Sequence, residues 1–389
     1  MMVPSKKRVL IVVHSFSIGG TIVSLHSLLS VIDTTRYEID IFALVHEGVY
    51  LDKMPNCTVL PENIWLSHRY KNGGLYKRLF NKGVRVACSI VRRMGLSIEP
   101  LMCKLASRHV AFKQYDTIVN FDESIAHVVC HYPAKRRIAW VHCDYERYLS
   151  LIKGTEEKVY KAFDTVVCVS EFAKSSFCRC LPQMQDKTVA IHNVINVGLI
   201  TEKAQEPIDD ARFITDGYTI VSAGRLDPVK QFHLIPQLAA DIKKQTDKKF
   251  VWYIIGGHRG FDTYVDGIKR NIAELGVSDY VILLGEKSNV YPYMAKADLY
   301  VSTSLSESFP LVINEAKALG IPVVSNNFGS AAESVEDGVD GCVVCVEDAQ
   351  FTDRIVRLIE GELVLQNTSE SYLGKTNEII EEINKILSI

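Results

Sequence analysis

No apolar run in this 389-residue chain is long enough to cross a membrane as a helix, which takes about 20 consecutive apolar residues. The amino-terminal MMVPSKKRVLIVVHS carries lysines and a short apolar run ended by His14 and Ser15, and it reads as a β-strand rather than a signal peptide. Low-complexity tracts and clear internal repeats are also missing. Metal-type cysteine pairing is missing too, although there are ten cysteines. Cys178 and Cys180 are separated by a single residue, and Cys342 and Cys345 have no second such pair to close a site. Cys88 and Cys168 sit in apolar runs, as buried thiols do, so a reducing compartment, the cytosol, is expected. Neither sign of charge dominates, with 44 Lys and Arg against 46 Asp and Glu, which argues against nucleic acid as a partner. No acidic cluster resembles a metal site.

What is present begins with length, which exceeds the usual size of one core and points to two domains. The most informative stretch is Ser302 to Gly338, STSLSESFPLVINEAKALGIPVVSNNFGSAAESVEDG. Leu299–Val301 before it reads as a strand, and Leu311, Ile313, Ala316 and Leu319 follow helical spacing up to Gly320. Ile321–Val324 is a second buried strand. Glu307 therefore lies in the loop at the carboxyl end of a strand, where ligands bind in open α/β sheets. The amides around Ser308, Phe309, Pro310 and Leu311 fall at a helix start, where the dipole favours an anion. Glu315, further into that helix, can accept hydrogen bonds from two vicinal hydroxyls. Phosphate at a helix start and a diol on a carboxylate together describe a nucleotide.

This ordered set resembles the retaining glycosyltransferases of the GT-B fold, family four (group 1) type. Their hallmark is Glu, seven residues, Glu, then a small-residue helix, a G-x-P-V-V strand and a glycine turn. Here these are Glu307, Glu315, Gly320-Ile321-Pro322-Val323-Val324 and Gly329. The resemblance implies an α/β protein of two Rossmann-like domains with parallel sheets facing a central cleft. Residues 1–194 would be the acceptor-binding domain and residues 195–371 the nucleotide-sugar-binding domain. A terminal helix, residues 372–389, crosses back onto the first domain in this architecture.

In the first half, the strand Val9–Val13 leads into Gly19 and Gly20 and then a helix. Glycines there let a ligand approach the backbone, although a plain tight turn has the same signature. Resembled enzymes carry Gly-Gly at this place, facing the cleft, commonly followed by Ala-Glu; here Thr21-Ile22 follows, so no role of that Glu transfers. Residues 68–113 stand apart. They carry His68, Arg69, Lys71, Lys77, Arg78, Lys82, Arg85, Arg92, Arg93, Lys104, Arg108 and Lys113, with Glu99 as their only acid. Leu75, Leu79, Val86, Ile90 and Met94 interleave at helical spacing. Such a basic amphipathic insertion reads as a surface for an anionic membrane or a lipid-linked acceptor, or as a solvated helix pair packed on its domain. Asp122, after the strand 116–120, is a cap or a cleft residue. His142 ends the strand 137–142, with Asp144 just beyond it, on the ligand side of the sheet. Resemblance makes His142 a residue that approaches the transferred sugar or its phosphate.

In the second half, Tyr218–Ala223 leads into Gly224-Arg225-Leu226-Asp227-Pro228-Val229-Lys230. Two fixed cations in such a turn suit a diphosphate. The family pattern here is G-R-x-x-x-x-K-G, and Gln231 replaces its last glycine. Gly256 and Gly257 form a second glycine turn, and resembled enzymes hold the nucleotide base with backbone groups around the Glu286 loop. The implied reaction moves a sugar, with retained configuration, from a nucleotide diphosphate to a saccharide or lipid-linked acceptor. Uridine diphosphate is the expected nucleotide, and cell-surface polysaccharide or glycoconjugate synthesis the expected setting. Arg225, Lys230 and the amides near Phe309 would meet the leaving charge without a metal, Glu315 the ribose diol and Glu307 the sugar hydroxyls. No other cofactor is implied, since the nucleotide sugar is a co-substrate. The expected location is cytoplasmic, peripheral on the inner face of the membrane. Two alternatives stay open. One is an epimerase or phosphorylase on the same architecture. The other is a non-catalytic glycan- or nucleotide-binding module, which would be expected to have lost one of these cations or carboxylates.

Overall fold

The computed structural model describes residues 6–67, 70–94, 99–106, 114–152, 156–258 and 260–388. His68, Arg69, Arg108 and Lys113 of the basic stretch lie outside the described residues, as do the side chains of Arg92 and Glu99. The chain divides into two compact units, residues 1–194 with 379–389, and residues 195–378.

The first unit carries a seven-stranded sheet. Its strands are β1 (Lys7–Val13), β2 (Tyr37–Ala43), β3 (Thr58–Val59), β4 (Thr117–Asn120), β5 (Arg136–Val141), β6 (Thr165–Cys168) and β7 (Thr188–Ala190). They lie in the order β3-β2-β1-β4-β5-β6-β7, every pair parallel. Val9, Leu10, Ile11, Val12 and Val13 are all buried. That is why β1 reads as a continuous apolar run, since a parallel sheet is covered on both faces. The helix Gly20–Val31 buries Ile22, Leu25, Leu28 and Leu29, the stripe expected of 3.6-residue periodicity.

The second unit has six strands: β8 (Tyr218–Ala223), β9 (Phe250–Ile255), β10 (Val281–Gly285), β11 (Leu299–Ser302), β12 (Val323–Ser325) and β13 (Gly341–Val343). Their order is β10-β9-β8-β11-β12-β13, again all parallel. Trp252, fully buried on β9, donates its indole N–H to Ser222 Oγ at 2.9 Å, so the one polar atom of that large side chain is satisfied.

In each unit the strand order reverses direction at one place, between β1 and β4 and between β8 and β11. Helices on opposite faces leave a crevice beyond the carboxyl ends of such strands. Gly19 and Asp122 in the first unit, and Gly224, Arg225, Lys230 and Glu307 in the second, lie in the loops that leave there. Among the described residues no helix is long and apolar enough to cross a membrane.

Candidate functional site

In the second unit, the loops after β8, β9 and β10 are stitched together by backbone hydrogen bonds. Gly224 N–H donates to Ile255 O, Leu226 N–H to Gly257 O and Gly256 N–H to Gly285 O, each at 2.9 Å. A Cβ on Gly256 would lie 1.7 Å from Gly224 O, and one on Gly257 would lie 2.7 Å from Glu286 Oε2. Main chain therefore requires glycine at 256, whereas a Cβ on Gly257 would press on the Glu286 side chain, which lies beside it. Asp227 shapes the turn that carries both cations. Its Oδ1 accepts the N–H groups of Val229 (3.0 Å) and Lys230 (3.2 Å), while Oδ2 pairs with Arg225 at 3.3 Å. Arg225 projects, its side chain 75% exposed.

Lys230 turns the other way. Its Nζ pairs with Glu307 Oε1 at 2.5 Å, and each side chain is only 18% exposed. The two loops are tied again by Leu305 N–H to Val229 O (2.8 Å) and Thr303 Oγ1 to Lys230 O (2.7 Å). Ser330 Oγ holds the Glu307 carbonyl at 2.8 Å, and Asn326 Nδ2 holds that of Ser304 at 2.9 Å. Lys230, Glu307, Pro310 and Leu311 line one small cavity. Gln231 has φ +51, the left-handed region that costs a side-chain-bearing residue about 1 kcal/mol. The glycine of the resembled pattern at this place therefore has a backbone reason.

Beyond Ser308 and Phe309, the helix Leu311–Ala318 starts with no side-chain cap on Pro310. Asn314 N–H is the first to reach back, to Pro310 O. The preceding amides thus have no partner within the helix, as at any helix start. Glu315 is 7% exposed, and Tyr291 OH donates to its Oε1 at 3.1 Å. Burial pushes its carboxyl up to about 7, against the opposing pull of Tyr291 and Lys203.

Gly19, Gly20, Asp122, His142 and Asp144 belong to the first unit. Gly19 precedes the helix with φ −178, and a Cβ on it would meet nothing within 4 Å. The turn itself does not require glycine there, and the space is open. Asp122 caps the turn Glu123–Ile125, accepting the Ser124 N–H at 2.9 Å. Asp144 Oδ1 accepts Ser176 Oγ at 2.5 Å. His142 follows β5, its ring 4.8 Å from that of Phe121, and its buried Nε2 has no partner among the described residues. Burial alone holds the imidazole down at about 3, hence neutral. Among the described residues no three His, Cys, Asp or Glu side chains group as a metal site.

Residues 204–375 match the family described as glycosyl transferases group 1. The N-acetyl-alpha-D-glucosaminyl L-malate synthase of Bacillus anthracis is 24% identical over 289 residues, covering 70% of this chain and 73% of that enzyme. The D-inositol 3-phosphate glycosyltransferase of Mycobacterium leprae is 34% identical over 153 residues, 38% of this chain and 35% of the relative. The match to the group 1 glycosyltransferases thus lies in the second half of the chain. The fold is GT-B. The crystal structure of Anabaena Alr3699/HepE in complex with UDP superposes with TM-score 0.69 at 18% identity, covering 98% of this chain and 99% of that one. Sucrose-phosphate synthase from Thermosynechococcus elongatus does so with TM-score 0.66 at 15% identity, covering 98% of each.

Several residues that hold these loops in place are not flagged by the motifs. Asp227, in Arg-Leu-Asp-Pro, carries an Asx-turn signature that could have flagged it. Asn326 and Tyr291 carry no such signal, because their partners are distant in sequence.

Proposed function

We propose that this protein moves a sugar from a uridine diphosphate sugar to a saccharide or lipid-linked acceptor, with retained anomeric configuration and without a metal. The observation that carries this reading is the convergence of Arg225, Lys230, Glu307 and a helix start at the switch point of the second sheet. In this reading the helix amides and both cations take the diphosphate, and their fixed charges stabilise the departing group. The incoming phosphate competes with Glu307 for Lys230, which frees the Glu307 carboxylate for sugar hydroxyls. Glu315 takes the ribose diol, and Gly256, Gly257 and the Glu286 loop flank the base. Since no carboxylate stands out as a covalent nucleophile, the leaving phosphate takes the acceptor proton in a front-face displacement. His142, Asp122, Asp144 and the Gly19–Gly20 turn serve the acceptor and the transferred sugar from the first unit. HepE, solved in complex with UDP, supports the choice of nucleotide. The test is release of nucleotide from a panel of nucleotide sugars, with NMR of the product anomer. Release from none of them, or an inverted product, would overturn the reading.

The acceptor reading extends to an anionic membrane surface. The helix Leu75–Arg93 packs on its unit through Asn81 and Cys88, which are buried, and through Arg85, which donates to Trp65 O at 2.6 Å. Its apolar stripe points the other way: Leu75 is 67% exposed, Leu79 57%, Val86 53% and Ile90 49%. Lys77, Arg78, Lys82 and Arg93 are exposed as well. An apolar face turned to solvent and set among cations matches a leaflet of anionic lipid in both greasiness and charge. The enzyme would then work as a peripheral protein on the cytoplasmic face.

A further inference from the structure

The carboxyl ends of β4 and β5 hold a carboxyl group to which none of these roles is assigned. Glu123 follows Asp122, and its Oε2 accepts the backbone N–H of His142 at 3.0 Å. The Cys143 thiol also donates to it. Among the described residues no cation pairs with Glu123, and burial together with the Asp122 charge pushes its carboxyl up to about 7. Keeping a buried carboxyl without a counter-ion is costly, and a neutral amide would satisfy the same N–H. Phe121 packs on the imidazole of His142, and Glu123, two residues on, fastens its main chain. One short segment therefore holds His142 from two sides. The atom left over is its buried Nε2, which has no partner among the described residues.

We propose that Glu123 is a positioning residue acting through His142: it locks the first peptide beyond β5 and so presents the unpartnered Nε2 to one hydroxyl of a sugar. This rests on the glycosyl-transfer reading and adds a residue to it. An imidazole free to swing would lose its alignment, and small misplacements are costly in rate.

The experiment compares wild type, Glu123→Ala, Glu123→Gln, His142→Ala and the double Ala variant in the full chain. Turnover is read as nucleotide release from UDP-sugars with water as acceptor. UDP affinity by calorimetry serves as the control for folding. Glu123→Ala should lower kcat by roughly 10-fold to 100-fold with donor KM and UDP affinity unchanged. Glu123→Gln, which still offers an oxygen to the His142 N–H, should restore most of the rate. The double variant should be no slower than His142→Ala, because two residues that act as a unit are not additive. Full activity of Glu123→Ala, or a loss that adds to that of His142→Ala, overturns the proposal. NMR of isotope-labelled histidine decides the case independently of turnover. The His142 ring signals should broaden or move in Glu123→Ala and return in Glu123→Gln, and unchanged signals refute the clamp. If wild type turns over no nucleotide sugar while the ring signals respond as stated, the transfer reading fails and the clamp stands.

Discussion

At the scale of single residues, the two cations of the second unit differ in what they do for the fold. Arg225 is largely in solvent, whereas Lys230 is nearly enclosed and paired. Both Ala variants should lower turnover by roughly 10²-fold or more, since each removes charge set against the leaving group. Thermal unfolding should separate them. Arg225→Ala should stay within about 0.5 kcal/mol of wild type, while Lys230→Ala should lose more, because Glu307 is left without its partner. Equal stability of the two would refute the pairing. Glu315 gives a pH signature. Its carboxyl is raised from 4.5 to about 7 by burial, so the folded protein holds this proton more tightly than the unfolded chain. The stability this contributes is fully present below the unfolded value of 4.5 and is lost as pH rises through about 7. UDP binding should run in the opposite direction, because the ribose diol needs the ionised carboxylate as acceptor. Raising the pH through about 7 should therefore tighten UDP and loosen the fold. Glu315→Gln should flatten both trends and weaken UDP by about 1.5–3 kcal/mol. A wild-type affinity that does not respond to pH would sink the ribose assignment.

At the scale of elements, the loop after β8 shows how backbone geometry constrains sequence. Gln231→Gly should stabilise the protein by about 1 kcal/mol, read as a rise in melting temperature, because Gln231 sits at φ +51. Gly256→Ala should do the reverse and abolish donor binding, since no rearrangement short of separating two loops admits a Cβ 1.7 Å from Gly224 O. The exposed helix Leu75–Arg93 carries the membrane prediction. Binding to anionic vesicles should be reversible, weakened by salt and small on neutral lipid. Lys77, Arg78 and Lys82 changed together to Ser should abolish it, as each cation near the leaflet contributes about 1 kcal/mol. Leu79→Glu with Ile90→Glu should do so too, without loss of UDP affinity. Arg85 does not belong in such a set, since it faces inward onto Trp65. Equal co-sedimentation of wild type and variants would make this helix a surface for some other partner. The four strands β8, β9, β11 and β12 were legible in sequence because parallel strands buried on both faces leave uninterrupted apolar runs. The inward and outward faces of the basic helix were not, because its periodicity shows only that charge and apolar residues share a helix.

At the scale of the whole molecule, the helix Ser369–Ser388 is divided between the two units, with residues from 379 onward grouped with the first. Its last turn meets donors from the first sheet. Lys7 donates to Ser388 O, Arg136 to Ile386 O, and Tyr37 OH meets Ser388 Oγ at 2.8 Å. Cations at a helix carboxyl end satisfy carbonyls that have no partner of their own. Arg136→Ala should therefore speed amide exchange in the last turns of this helix and leave the turn around Tyr372, which bonds Asn314 at 2.9 Å, unchanged. Uniform protection along the helix would refute that division. The sequence by itself determined the α/β class and the parallel sheets and carried the resemblance to the group 1 glycosyltransferases, because these rest on apolar runs and on motifs written in consecutive residues. It also put Glu307 in a loop and Glu315 in a helix, since a helix start is a local signal. Only the tertiary structure decided that Lys230 closes on Glu307, that Tyr291 occupies Glu315 and that Glu123 fastens His142. Each of those pairs joins residues from different βα units, 77, 24 and 19 positions apart. What brings them together is the order in which strands pair in a sheet, and no local propensity records that order.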